Sequence, residues 1–164
     1  MHHIHRVRPH HQGHGAAASH VDAFVAFHLA DARQVSARSG VPVSVILAQS
    51  GLESGWGLHV TDNAYFGVKG HAPNGASVRF TTHEVSNGMA HRISDSFRSY
   101  RSYEDAANDY ADMLRRRFPA AFAHADDSLQ FIPYLHGYAT DPLYIGKLQS
   151  IIRHHELQQY DHKP

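Results

Sequence analysis

The segment PVSVILAQSGLESGWG, residues 42–57, constrains the fold more than any other stretch of the chain. Pro42 suits the first turn of a helix. Val45, Ile46, Leu47, Ala48 and Leu52 then fall on most sides of that helix instead of along one stripe. A helix that is apolar nearly all round has to be wrapped by other elements, so this one is expected at the centre of the core. Gly51 permits close backbone approach, and Gly55 and Gly57 end the helix. One ionisable residue, Glu53, is left in the last turn, close to Trp56, the only tryptophan.

Burial disfavours the charged form of a carboxyl group and so keeps it protonated to higher pH. A carboxylic acid still protonated near neutrality can donate a proton to a leaving group. The plainer alternative is a solvated glutamate at a helix terminus, and the rest of the chain has to decide between the two.

The flanking patterns supply the wrapping. A helix is expected from about Val21 to Ser39, with Ser19 and Asp22 resembling a capping box and Gly40 as its stop. Residues 1–18 are polar and rich in His, Gly and Pro, and read as a disordered arm. His2, His3, His5, His10, His11, His14 and His20 show no fixed ligand spacing, so a flexible tail is favoured over a metal site. After an irregular Gly-rich stretch, SVRFTTHEV and MAHRISDSF alternate as strands around Ser86-Asn87-Gly88, a strong hairpin signal. Val78, Phe80, Thr82 and Glu84 share one strand face. Ser102, Ser128 and Thr140 or Asp141 then mark the caps of three further helices. The expected fold is α+β and mostly helical: a helical body and a small β-hairpin lobe forming a cleft, faced by Glu53 and Glu84 from opposite sides.

Composition removes several chemistries. Lys+Arg and Asp+Glu both number 15, which argues against nucleic-acid binding through bulk charge. The 17 histidines would make the chain cationic on mild acidification. With no cysteine there are no disulfides, thiol nucleophiles or Cys-type zinc sites. No stretch approaches the length of an apolar membrane span. Phosphate-binding loops, HExxH and GxSxG are missing.

Two carboxylates flanking a scissile bond are the common equipment of glycoside hydrolysis. Glu53 is the candidate acid and Glu84 the candidate second carboxylate, although exposed hairpin glutamates more often serve solvation. Trp56, Tyr65, Phe66, Tyr100, Tyr138 and Tyr144 gather around the Gly-rich and loop segments. Such rings suit sugar faces and also suit a core. Trp56 and Phe66 are expected mainly to pack, while Tyr138, in a turn before a helix cap, is the more functional candidate.

Taken together, LAQSGLESGWG, NAYFGVKG (63–70), TTHE (81–84), DSFRSYRSYEDAANDYADML (95–114) and YATDPLYIGKL (138–148) resemble, in order, glycoside hydrolase family 73. This family includes the flagellar rod-cap muramidase domain and many autolysin and phage β-N-acetylglucosaminidases. The resemblance covers roughly residues 20–155. It implies a lysozyme-like fold with a mobile β lobe, and cleavage of the β-1,4-linked glycan strands of peptidoglycan, normally at N-acetylglucosamine. By the same resemblance Glu53 matches the general acid, Glu84 the lobe carboxylate and Tyr138 a tyrosine lining the site. Asn63, Phe66, Gly67 and Lys69 match the cleft border, and Trp56, Tyr65 and Tyr144 join the substrate-binding candidates.

The expected enzyme needs no metal or cofactor, acts as a monomer and works in the periplasm or cell wall. The N-terminus has no apolar signal-peptide core, so export by a dedicated machine, as an antibacterial effector, or release by lysis, as a phage lysin, is expected. An effector would imply an immunity or inhibitor protein as partner. The rival readings are a lytic transglycosylase, a catalytically silent glycan-binding module, and a His-rich metal carrier.

Overall fold

The computed structural model describes residues 15–161. Helix α1 spans Gly15–Ser39 and α2 Val43–Ser54. The hairpin strands are β1, Ser77–Ser86, and β2, Met89–Arg98. Helices α3 (Tyr103–Arg117), α4 (Ser128–Phe131) and α5 (Tyr144–His154) follow, with 3-10 turns at Pro119–His124, Ile132–Leu135 and Leu157–Tyr160. No helix among the described residues is long and apolar enough to cross a membrane.

Helix α2 is the centre of the body, as its pattern requires. Ten of its twelve residues are buried, and it packs against α1, α5 and the terminal 3-10 turn. Pro42 stands at its N-cap without a side-chain cap. The missing acceptor comes from the far end of the chain. Asp161 accepts from the Ser44 backbone N–H at 2.7 Å and from Ser44 Oγ at 2.5 Å. A carboxylate there satisfies a free donor and complements the positive end of the helix.

At the other end Gly55, Trp56 and Gly57 all take positive φ, at 57°, 56° and 81°. This left-handed turn folds the indole back over α2. Gly51 is what admits it, because a Cβ at that position would lie inside the Trp56 ring. The other edge of Trp56 meets Phe24 of α1, at 5.5 Å between ring centroids, and His155 at 5.4 Å.

The hairpin forms in the expected register, with Val78 opposite Phe97 and Glu84 opposite His91. Asn87 and Gly88, at φ 52° and 75°, make the tight turn whose twist matches that of the strands. Val78, Phe80 and Glu84 are half-buried while their neighbours Arg79, Thr81 and His83 are exposed. Phe80 stacks on Phe97 at 4.2 Å. The base of the lobe is fixed by a bridge between Lys69 and Phe97, by Arg98 N–H to Val68 O at 2.7 Å, and by Arg98 Nη1 to Asp109 of α3 at 3.0 Å. Its tip reaches the opposite wall, where Thr140 Oγ accepts from Val85 N–H at 3.0 Å.

Several local expectations change. Helix α1 begins at Gly15 and not near Val21, so Ser19 and Asp22 lie inside it and the assigned arm loses residues 15–18. The remainder of the arm, including His2 to His14, lies outside the described residues. Ser102 does cap α3, accepting from Asp105 N–H at 3.1 Å. The cap of α4 is Asp127, which accepts from Leu129 N–H, and not Ser128. Helix α5 starts at Tyr144, after an Asp141 turn that accepts from Leu143 N–H at 2.9 Å.

Alanine normally stabilises a helix relative to glycine by about 1 kcal/mol. Gly51→Ala should do the reverse, lowering stability by about 1–3 kcal/mol as the new methyl displaces Trp56. Urea denaturation followed by tryptophan fluorescence reads both the loss and the movement of the ring.

Candidate active site

Glu53 extends from the last turn of α2 into the floor of a cleft. One half of the cleft is a cavity of about 380 Å³ lined by Glu53, Lys69, Glu84, Arg117, Tyr138 and Thr140, among others. The other half, about 400 Å³, continues past Leu58, His59, Val60 and Phe80. Glu53, Gly67 and Phe97 border both halves. The carboxyl therefore sits at the middle of a groove, where an extended polymer could pass on either side of it.

The outer edge of Glu53 faces water in the groove, while protein surrounds the rest. Gly67, at φ 63°, brings its backbone so close that a Cβ would stand 2.6 Å from Glu53 Oε2. Burial pushes the Glu53 carboxyl up to about 7, opposed by the hydroxyl of Tyr144, which favours the ionised form. A group poised there is populated both as acid and as base near neutrality.

Glu84 lies on the inner face of β1 and lines the same cavity, so the hairpin does bring the two predicted carboxylates to one site. It is ion-paired with Lys69, which also lies 3.5 Å from Asp95. Hydrogen bonding to Glu84 holds the Lys69 ammonium above its ordinary range. Lys69 thus borders the cleft with its charge partly engaged.

Tyr138 lines the cavity. Its hydroxyl donates to the Phe66 carbonyl at 2.5 Å, and its ring lies parallel to Tyr144 at 5.6 Å. Through Phe66 it anchors the segment whose next residue, Gly67, touches Glu53. Burial keeps the Tyr138 and Tyr144 hydroxyls protonated well above the usual phenol range.

Five of the predicted substrate-binding residues are absent from the cleft lining. Trp56 packs against Gly51, Phe24 and His155. Asn63, at φ 56°, donates to the Tyr100 carbonyl at 3.0 Å and shapes the loop. Tyr65 joins an aromatic cluster with His28 and Tyr103. Phe66 is 1% exposed and stacks on Tyr110 at 4.1 Å. Tyr144 is 5% exposed and lies beneath Glu53, not in the groove. In each case the polar edge or the face that would meet a sugar is used inside the protein. Sequence reading missed Gln49 and Tyr110. Both are fully buried, and their only signal was a glutamine one helical turn before Glu53 and a tyrosine among the α3 core positions.

With this geometry in hand, the comparisons with known proteins are decisive. The glucosaminidase family model, described as mannosyl-glycoprotein endo-beta-N-acetylglucosaminidase, matches residues 29–157. The chain belongs to this glucosaminidase family, glycoside hydrolase family 73. The peptidoglycan hydrolase FlgJ of Salmonella typhimurium is 41% identical over 133 residues, 74% of this chain and 42% of that protein. FlgJ of Pseudomonas aeruginosa is 35% identical over 151 residues, 85% of this chain and 37% of that protein. The chain thus spans less than half the length of these curated relatives. Among solved structures, the catalytic domain of the Listeria monocytogenes autolysin Auto superposes with a TM-score of 0.74 at 29% identity, covering 87% of this chain and 88% of that one. A truncated glycoside hydrolase domain of Salmonella typhimurium FlgJ gives 0.67 at 39% identity, covering 83% and 97%. The fold is that of the lysozyme-like glucosaminidase domains.

The raised Glu53 value has a consequence for stability. The folded state keeps its proton to about pH 7, against 4.5 for an unperturbed glutamate, so stability falls as pH rises through that window. Glu53→Gln should therefore be more stable than wild type above pH 7, by on the order of 1 kcal/mol because groove water screens the charge. The gain should vanish below about pH 4.5. Urea titrations at pH 4.5 and pH 8 measure both ends.

Proposed function

We propose that the chain is a peptidoglycan hydrolase that cleaves β-1,4 bonds of the glycan strand as an endo-β-N-acetylglucosaminidase. The observation that carries the reading is Glu53: a carboxyl group held near pH 7 at the midpoint of an open groove, in a chain of the glucosaminidase family. The relatives named as peptidoglycan hydrolases and autolysins support the polymer as substrate, and with it action at the cell wall or in the periplasm.

Glu53 is protonated in the productive state and gives its proton to the glycosidic oxygen, so that the leaving sugar departs as an alcohol. Positive charge then develops on the ring left behind. Glu84, across the cavity and tethered by Lys69, stabilises that charge and takes the proton of the attacking water. The Tyr138 ring lines the same half of the groove, and its hydroxyl oxygen keeps a lone pair for substrate while its proton holds Phe66. Substrate filling the groove expels the water at the outer edge of Glu53 and favours its neutral, proton-donating form further.

Digestion of purified peptidoglycan, with products reduced by borohydride and read by mass spectrometry, tests the reading. Wild type should release reducible N-acetylglucosamine ends, and Glu53→Gln should lose at least a thousandfold in rate. Anhydro ends would make the protein a lytic transglycosylase, and no release by wild type would leave a glycan-binding module. The rate should fall as pH rises through about 7, where Glu53 loses its proton. Glu84→Gln should cost a hundredfold or more; a loss under tenfold would transfer its role to the acetamido group of the substrate.

A further inference from the structure

Beneath Glu53 lies a buried polar chain that the hydrolase mechanism does not use directly. Gln49 and Glu53 are four residues apart on α2, so their side chains lie on one face of the helix. Gln49 is 0% exposed. The Tyr110 hydroxyl, on α3, donates to Gln49 Oε1. Gln49 Nε2 donates to the Tyr144 hydroxyl, on α5, at 3.0 Å. Tyr110 is 0% and Tyr144 5% exposed, so water is a poor competitor for either hydroxyl.

The order of donors matters. A phenol has one proton and accepts through its oxygen. Since the amide N–H occupies the Tyr144 oxygen as a donor, the Tyr144 proton has to be given elsewhere, and the Glu53 carboxyl is within its reach. Turning the amide over would invert the chain: Tyr144 would donate to the Gln49 oxygen and Glu53 would lose its donor. Tyr110 blocks that inversion, because its own hydroxyl proton would then meet an NH2 group.

We propose that Gln49 is a positioning residue for the acid: clamped by Tyr110, its amide fixes the direction in which the Tyr144 hydroxyl donates, and so orients the Glu53 carboxyl and limits how strongly it retains its proton. Burial alone would hold Glu53 neutral to still higher pH, and slow the return to the ionised form between turnovers. One aimed hydroxyl offsets part of that. Tyr110, Tyr138 and Tyr144 bear on the carboxyl from α3, the loop after Gly137 and α5. Lys69, His83, Glu84, Arg98 and Arg117 stand around the same half of the groove, with His59 in the other. None of these groove residues is altered in the variants below.

The inference rests on Glu53 being the acid only for its effect on rate; the polar chain itself is tested without substrate. Glutamate-labelled full-length protein is titrated by carbon NMR, with Glu53→Gln assigning the Glu53 signal. Tyr144→Phe should raise the Glu53 midpoint by about one pH unit, the size expected for one hydrogen bond to a charged group. Gln49→Met, similar in volume and without the amide, should raise it in the same direction. The double variant should match Tyr144→Phe alone, because Gln49 acts through Tyr144. A Glu53 midpoint unchanged in folded Gln49→Met, or shifts that add in the double variant, overturns the proposal. If Gln49→Met does not fold, Gln49→Asn, whose amide is withdrawn by one methylene, is read by the same criterion. Should the midpoint move while the alkaline limb of glycan cleavage stays in place, the positioning role stands and the assignment of Glu53 as acid fails.

Discussion

A helix can be buried end to end only if every polar group on it finds a partner, and α2 depends on that constraint throughout. Ser44 is held by Asp161 at the N-terminus. Ser50 bonds the Ile46 carbonyl at 2.7 Å and meets the Tyr103 hydroxyl at 2.9 Å. Ser54 closes on the Ser50 carbonyl at 2.6 Å and accepts from Gly57 N–H at 2.9 Å. Gln49 is satisfied on both sides by tyrosines. An unsatisfied group at any of these positions would cost about 1–3 kcal/mol, a large share of the stability of a small domain. The exception is Glu53, whose carboxyl is only partly enclosed and keeps one edge in the groove.

That exception locates the chemistry. The helix terminates at Gly55 because the next two residues also turn left-handed, and the same turn lays Trp56 against Gly51 on the side away from the cleft. The tryptophan therefore stabilises the helix end from behind while Gly67 closes on the carboxyl from in front. The lobe completes the arrangement. Its base is tied to the body through Arg98 and Asp109, its tip is linked to the far wall by the single hydrogen bond from Val85 to Thr140, and Glu84 is carried between them. Few bonds hold the tip and more hold the base, which is the distribution expected of an element that pivots at its root.

The aromatic residues show how far chemical type can mislead. Trp56, Tyr65, Phe66 and Tyr144 have the flat faces that bind sugars, but they are consumed in packing or, for Tyr144, in supporting Glu53 from below. Tyr138 lines the cavity, yet its hydroxyl proton is directed to the Phe66 carbonyl. Burial and pairing of a side chain depend on which elements meet, and spacing along one segment carries no record of that.

The sequence by itself determined the features that follow from short-range physics. The all-round apolar pattern made α2 central, Asn87-Gly88 and the alternating strands set the hairpin and its register, and the period of two put Glu84 on the inner face with Val78 and Phe80. Glycines after Ser54 fixed where Glu53 emerges, and the ordered motifs indicated the glucosaminidase family. Only the tertiary structure decided the contacts made across long separations in the chain. Asp161 reaches α2 from 117 residues away, Tyr144 reaches Gln49 from 95, and Tyr138 reaches Phe66 from 72. Those contacts set which rings are buried, what Glu53 hydrogen-bonds and how readily it keeps its proton. They arise from the docking of whole helices, and that docking depends on the shape of the complete core.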